Sequence, residues 1–175
     1  MAVNTVLNEI NQLTPDVPQL VRVTLRLLAA LFIGTAIGLQ RELTHKPAGL
    51  RTHMLVGLGT ALFIVSAAES GMHLDSLSRI VQGLATGIGF LGGGAILKLA
   101  SEHEIHGLTT AAGIWMTAAA SAAAGLGQIA VALIGTFFGL LVLVVFRKLE
   151  KELGQLAKND TEVHPHSGPD PKDSV

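Results

Sequence analysis

Five stretches of the chain carry few or no charged residues, and each is close to the ~20 residues a helix needs to cross roughly 30 Å of hydrocarbon. They cover residues 20–39, 50–68, 80–97, 108–125 and 128–146. In a bilayer the backbone must satisfy its own N–H and C=O groups, which leaves only helices and closed barrels. Barrel strands alternate apolar and polar residues with period two, and these runs do not. The expected fold is all-α, a polytopic transmembrane bundle of five spans.

Composition points the same way. Charged residues make up 14% of the chain, against about 25% in soluble domains, and mean hydropathy is +0.52. The net charge of −1 provides no basic field for nucleic acid. The absence of cysteine excludes disulfides, thiolate metal sites and cysteine catalysis. With no tyrosine and Trp115 as the single tryptophan, an interfacial aromatic belt is nearly absent.

Three regions follow. Residues 1–19 form an N-terminal periplasmic segment without the basic start of a cleavable signal. Val3, Leu7, Ile10 and Leu13 recur there at helical spacing, so a short surface helix is expected before Pro15 and Pro18. Residues 20–146 form the transmembrane domain. Residues 147–175 are expected to be a short cytoplasmic helix and a disordered polar tail. Basic residues set the orientation. Arg41, Lys46, Arg51, Lys98, Arg147, Lys148, Lys151 and Lys158 fall on one side of five spans, and Arg22, Arg26 and Arg79 on the other. The N-terminus is therefore expected outside and the C-terminus in the cytoplasm.

The stretch "TGIGFLGGG" holds G-x-G-x-x-G at Gly87, Gly89 and Gly92. That spacing cradles a dinucleotide only where a strand turns into a helix. Here it lies inside an uncharged run, so no nucleotide is expected. Small residues every fourth position let helices approach closely in lipid. Gly34 and Gly38, Gly83 and Gly87, Gly89 and Gly93, and Gly135 and Gly139 have that spacing. Glycine-rich helix packing is the expected role. A second reading is that Gly92 to Gly94 unwind the helix and expose carbonyls, as in transporter ion sites.

The polar residues concentrate in "GLQRELTHKPAGLRTHMLVGLG". Arg41 and Glu42 end the first span, Pro47 suits the start of the second helix, and Arg51, Thr52 and His53 occupy its first turn. With Thr109 and Thr110 at the start of the fourth span, they form a candidate binding or structural cluster at the cytoplasmic face. Its readings are topogenic charge with surface salt bridges, or a phosphate, lipid-headgroup or cation site. Thr109 and Thr110 are expected to cap their helix. Arg51 is expected to pair with Glu42 or with a carboxylate of the third loop. Glu102, His103, Glu104 and His106 of that loop stand together, with Glu102 and Glu104 as weak metal-ligand candidates, and a solvated loop explains them more cheaply. On the outer side, Arg26 is expected to pair with Glu69.

"GLQRELTHKPAGLRTHMLVGLGTALF", "GIGFLGGGAIL" and "HGLTTAAGIWMTAAASAAAGLG" resemble the membrane domain of the MgtC/SapB family, in order, from about Leu25 to Phe146. By the resemblance the motif positions are Arg41, Glu42, Ala48, Gly49, Leu50, Arg51 and Thr52, then Gly87 to Gly92, then Gly107 to Thr110 and Trp115. Gln40 stands where the family commonly has glutamate, and Gly93 where it has alanine. The resemblance implies a bacterial inner-membrane protein linked to magnesium homeostasis, acid tolerance and intracellular survival in pathogens. Longer members add a soluble C-terminal domain, so this chain resembles a short form. Some members are thought to restrain the F-type ATP synthase.

Two functions follow. One is a membrane-embedded modulator that acts by helix contacts with another membrane protein such as that synthase. The other is a small oligomeric transporter or channel for Mg²⁺ or another ion. A homo-oligomer, with a dimer favoured, fits either. Mg²⁺ is a candidate ion, and no other cofactor is expected. No nucleophile–base pair is evident, so an enzyme ranks last.

Overall fold

The computed structural model describes residues 16–97, 107–149 and 152. They form five helices, with no strand among the described residues. These are α1 (Val17–Leu43), α2 (Leu50–Glu69), α3 (Leu74–Leu97), α4 (Leu108–Gly125) and α5 (Ile129–Leu141), the last followed by a π-helical turn, Val142–Phe146. Three helices are long and apolar enough to cross a membrane: Val17–Leu43, Leu50–Glu69 and Ile129–Leu149. The all-α membrane bundle expected from sequence is the fold observed. Residues 1–15 of the expected N-terminal segment, the third loop with Glu102 and Glu104, and the polar tail lie outside the described residues, and α1 begins at Val17, three residues before the expected span.

The chain divides into two compact units, residues 1–139 and 140–175. In the second, the π-helical turn buries none of its residues. The first holds α1 to α4 and most of α5.

This first unit buries small and polar residues together with several isoleucines, and leaves its phenylalanines outside. Phe32, Phe63, Phe90, Phe137 and Phe138 are all exposed. Lipid tails are as apolar as leucine, so burying large side chains gains little, and close van der Waals packing drives association instead. On α1, Ala30, Ile33, Gly34, Ile37, Gly38 and Arg41 form one buried stripe at three- and four-residue spacing. It crosses α2 with almost no clearance. A Cβ on Gly34 would stand 2.8 Å from Met54 Cα, and one on Gly38 2.9 Å from Leu50 Cα. In return, a Cβ on Gly57 of α2 would stand 2.9 Å from the Ala30 carbonyl oxygen.

Helix α4 is central and packs against α1, α2 and α3. Its buried positions are nearly all Gly, Ala, Ser or Thr. At its far end a Cβ on Gly125 would stand 2.9 Å from Ile64 Cβ. Gly135 and Gly139 of α5 lie over Met116.

Several sequence expectations are corrected here. Helix α3 begins at Leu74, six residues before the uncharged run, and takes in Asp75 and Arg79. It runs unbroken through Gly92 to Gly94, so the triplet does not unwind. The G-x-G-x-x-G spacing lies within this helix and not at a strand-to-helix turn. Close packing is placed differently as well. A Cβ on Gly83, Gly87, Gly89, Gly93 or Gly94 would meet nothing within 4 Å, and Gly92 makes only ordinary contact with Ala111. Among the described residues, the tight helix-to-helix contacts fall to Gly34, Gly38, Gly57 and Gly125, and to Gly139, where a Cβ would stand 3.1 Å from Met116 Cγ.

Helix α2 starts at Leu50 and not at Pro47, because its cap comes from the preceding helix. Glu42 Oε2 accepts the Leu50 N–H at 3.0 Å. The N-cap residue, Gly49, has no side chain, and a Cβ there would collide with that carboxylate. The turn before it holds His45 and Ala48 at positive φ, 52° and 57°. It is tied by the Lys46 N–H to the Arg41 carbonyl at 3.1 Å. Between α4 and α5, Gly127 at φ 83° makes the tight turn expected there.

Candidate functional site

The polar cluster read from sequence is divided by helix geometry. Successive residues on a helix are about 100° apart. Of Arg51, Thr52 and His53, only His53 shares the inward stripe with Gly57, Thr60 and Ile64, and it is fully buried. Arg51, Thr52 and Thr109 are exposed. Thr110 points inward from α4 and Arg41 inward from α1, both at 2% exposure. The set brought together is therefore Arg41, His53 and Thr110, with His53 inside the bundle and not on its exposed face.

Two hydrogen bonds define this interior. Arg41 Nη2 donates to Thr110 Oγ1 at 2.7 Å, linking α1 to α4. His53 Nδ1 lies 2.7 Å from Thr117 Oγ1, linking α2 to α4. The Thr117 hydroxyl donates to the Gly113 carbonyl at 2.9 Å. A hydroxyl has one proton, so the second contact requires His53 Nδ1 to be the donor. Nε2 then faces Gly113, and a Cβ there would lie 4.0 Å away. His53 Nε2 and Ser121 Oγ have no hydrogen-bond partner among the described residues. Ser121, one turn beyond Thr117, sits over Gly57. The result is a polar ladder up the α2–α4 contact, with hydroxyls on α4 facing an imidazole and a bare backbone on α2.

The expected capping by Thr109 and Thr110 is not seen. Gly107, at φ 93°, is the N-cap of α4, and the Thr110 hydroxyl is engaged by Arg41. The expected pair of Arg51 with Glu42 is not formed, and the Glu42 carboxylate holds the start of α2 instead; the alternative partners, Glu102 and Glu104, lie outside the described residues. Among the described residues the ion pair lies at the opposite end of the bundle. There Arg26 Nη1 is 3.3 Å from Glu69 Oε1 and 3.4 Å from the Gly125 carbonyl. This guanidinium joins α1 to the C-terminal ends of α2 and α4, where the helix dipole favours a cation.

Two openings lie along the seam where α3 meets α2 and α4. One, of about 620 Å³, is bounded by Thr52 and Val56 of α2, Leu91 and Gly94 of α3, and Thr110 and Ile114 of α4. The other, of about 270 Å³, is bounded by Thr60, Ala85, Ile88, Trp115, Ala119 and Ala122. Between them stands an apolar cluster of Ile88, Ile114 and Ala118, with Val56 packed against it.

The interior supplies one guanidinium, one imidazole and several hydroxyls. The charged side chain buried among the described residues is Arg41. Hard divalent ions prefer carboxylate and carbonyl oxygens. No group of three or more His, Cys, Asp or Glu side chains placed to hold a metal occurs among the described residues. Sequence reading missed the His53–Thr117 link and the role of Gly57. The available signal was the four-residue spacing of His53, Gly57 and Ala61 opposite Gly113, Thr117 and Ser121.

Comparison with known proteins follows the same residues. The sequence profile of the MgtC family matches residues 27–152. SrpB of Synechococcus elongatus is 45% identical over 137 residues, which is 72% of this chain and 75% of that protein. YhiD of Escherichia coli K12, named provisionally as a magnesium transporter, is 42% identical over 71% of this chain and 60% of its own. MgtC of Salmonella typhimurium LT2 is 39% identical over 75% of this chain and 55% of its own. No solved structure matches.

Proposed function

The chain belongs to the MgtC family, and from that premise we propose a bacterial inner-membrane protein of magnesium homeostasis that modulates another membrane protein through helix contacts. The N-terminus lies outside and the C-terminus in the cytoplasm, as the basic residues indicate. The observation that carries this reading is the face of α3. Gly83, Gly87, Gly89 and Gly93 are open to approach along a helix that is otherwise well formed. Small residues at this spacing admit a second backbone at close range, and among the described residues no helix takes that place. The F-type ATP synthase, which the family resemblance implies, is the partner to test first.

The test uses inverted membrane vesicles that contain the synthase and either the chain or its Gly87→Leu variant. The chain should lower ATP-driven proton pumping, and the variant should not. Equal pumping with and without the chain would remove the synthase as partner. Equal inhibition by chain and variant would remove the glycine face as the contact.

A second reading, transport of Mg²⁺, has one observation in its favour. Two openings flank an apolar constriction along a single seam. The provisional name of the relative YhiD agrees with it.

A further inference from the structure

Four threonines on these helices satisfy their hydroxyls in the same way. Thr35, Thr86, Thr117 and Thr136 each donate to the carbonyl oxygen four residues back, at distances between 2.7 and 3.0 Å. That local bond keeps a hydroxyl paired without any outside partner. Thr60 departs from the pattern. It is 4% exposed, yet its hydroxyl makes no hydrogen bond among the described residues. It stands midway along α2, a helix long and apolar enough to cross a membrane, where hydrocarbon supplies no partner. Its side chain lines the cavity of about 270 Å³ between α2, α3 and α4. The other walls are apolar, with Ala85 and Ile88 from α3, and Trp115, Ala119 and Ala122 from α4. A buried donor without an acceptor costs free energy, and this one adjoins a space that an acceptor can enter.

We infer that this cavity binds an uncharged, membrane-soluble molecule with a carbonyl on an apolar ring, the Thr60 hydroxyl donating to the carbonyl and the Trp115 indole flanking the ring. Each part of that description comes from a lining residue. None of the described lining residues carries a charge, so an ion or a phosphate would lose its hydration and gain no partner. Thr60 supplies the hydroxyl among them, and its proton calls for one acceptor. The alanines leave shallow walls, and an aromatic side chain favours offset or edge contact with another ring. The volume falls just under the roughly 300–1,000 Å³ of common ligand pockets, which suits one ring system better than a helix about 10 Å across. A lipid acyl chain would match the walls and leave the hydroxyl unpaired. The inference is independent of the modulator reading, because it involves no protein partner.

Trp115 is the single tryptophan of the chain, so one indole N–H resonance reports on the cavity. The experiment is a nuclear magnetic resonance titration of the purified full chain in detergent, isotope-labelled at the tryptophan nitrogens. The probes are α-tetralone and tetralin, its hydrocarbon counterpart, at matched concentrations in the micelle. The ketone should shift the resonance saturably, at one molecule per chain. It should bind about fivefold more tightly than tetralin, the contribution of one neutral hydrogen bond. Thr60→Val keeps the side-chain shape and should erase that preference, whereas Thr60→Ser keeps the hydroxyl and should retain it. Ala119→Leu enters the cavity from an exposed position on its wall. Checked for unchanged helicity, it should lose saturable binding of both probes. Three results would overturn the inference: a shift that never saturates, equal affinity of the wild type for ketone and hydrocarbon, or a preference that survives Thr60→Val. Full binding in Ala119→Leu would also overturn it, since the ligand would then lie elsewhere.

Discussion

At the scale of single residues, the decisive contact is between His53 and Thr117. His53 Nδ1 lies 2.7 Å from the Thr117 hydroxyl oxygen, a buried hydrogen bond that joins α2 to α4. Thr117→Val keeps the shape and removes the acceptor. Its cost should be about 1–2 kcal/mol, allowing for the modest value of side-chain hydrogen bonds between membrane helices. In a double-mutant cycle with His53→Ala, read by unfolding in detergent, the losses should be less than additive. Full additivity would mean that the two side chains act apart. None of this was legible as a pair in the sequence. His53 stood beside Arg51 and Thr52, and proximity along the chain grouped all three. The helical phase separates them, and it was knowable only once the start of α2 was fixed at Leu50. That start depends on Glu42, a cap supplied from eight residues upstream, so no local signal at Pro47 or Gly49 could reveal it.

At the scale of helices, the sequence was more informative. Runs of apolar residues identify five helices because membrane length and backbone satisfaction leave little choice. Where glycine is abundant, however, the sequence does not say which glycines touch. Gly34 and Gly38 have the same spacing as Gly83 and Gly87, yet the first pair meets the backbone of α2 and the second meets nothing. The difference comes from the partner. Helix α2 presents Gly57 and a flat backbone to α1, whereas α3 turns Ile88 and Gly92 toward α4 and leaves its other glycines outside. Gly34→Leu should therefore cost about 3 kcal/mol through overpacking. Gly83→Leu should leave stability unchanged or raise it by up to about 1 kcal/mol, through helix propensity. Thermal unfolding of both variants in one detergent checks the contrast. Equal losses would mean that the α3 face is packed after all.

At the scale of the whole molecule, the first unit is held by small-residue crossings, closed at one end by Arg26, Glu69 and the Gly125 carbonyl, and at the other by Arg41 and Thr110. Its fully buried polar atoms form a ladder with a cation beside it and no carboxylate among the described residues. That arrangement suits fixed contacts between α2 and α4. The central claim is that the chain acts on a partner rather than carrying the ion itself. Purified protein in sealed liposomes, loaded with a Mg²⁺-sensitive dye, tests it most directly. The account predicts Mg²⁺ entry no faster than into protein-free liposomes, with or without a membrane potential. Saturable, protein-dependent Mg²⁺ entry would contradict it and make the seam between α2, α3 and α4 the path to examine.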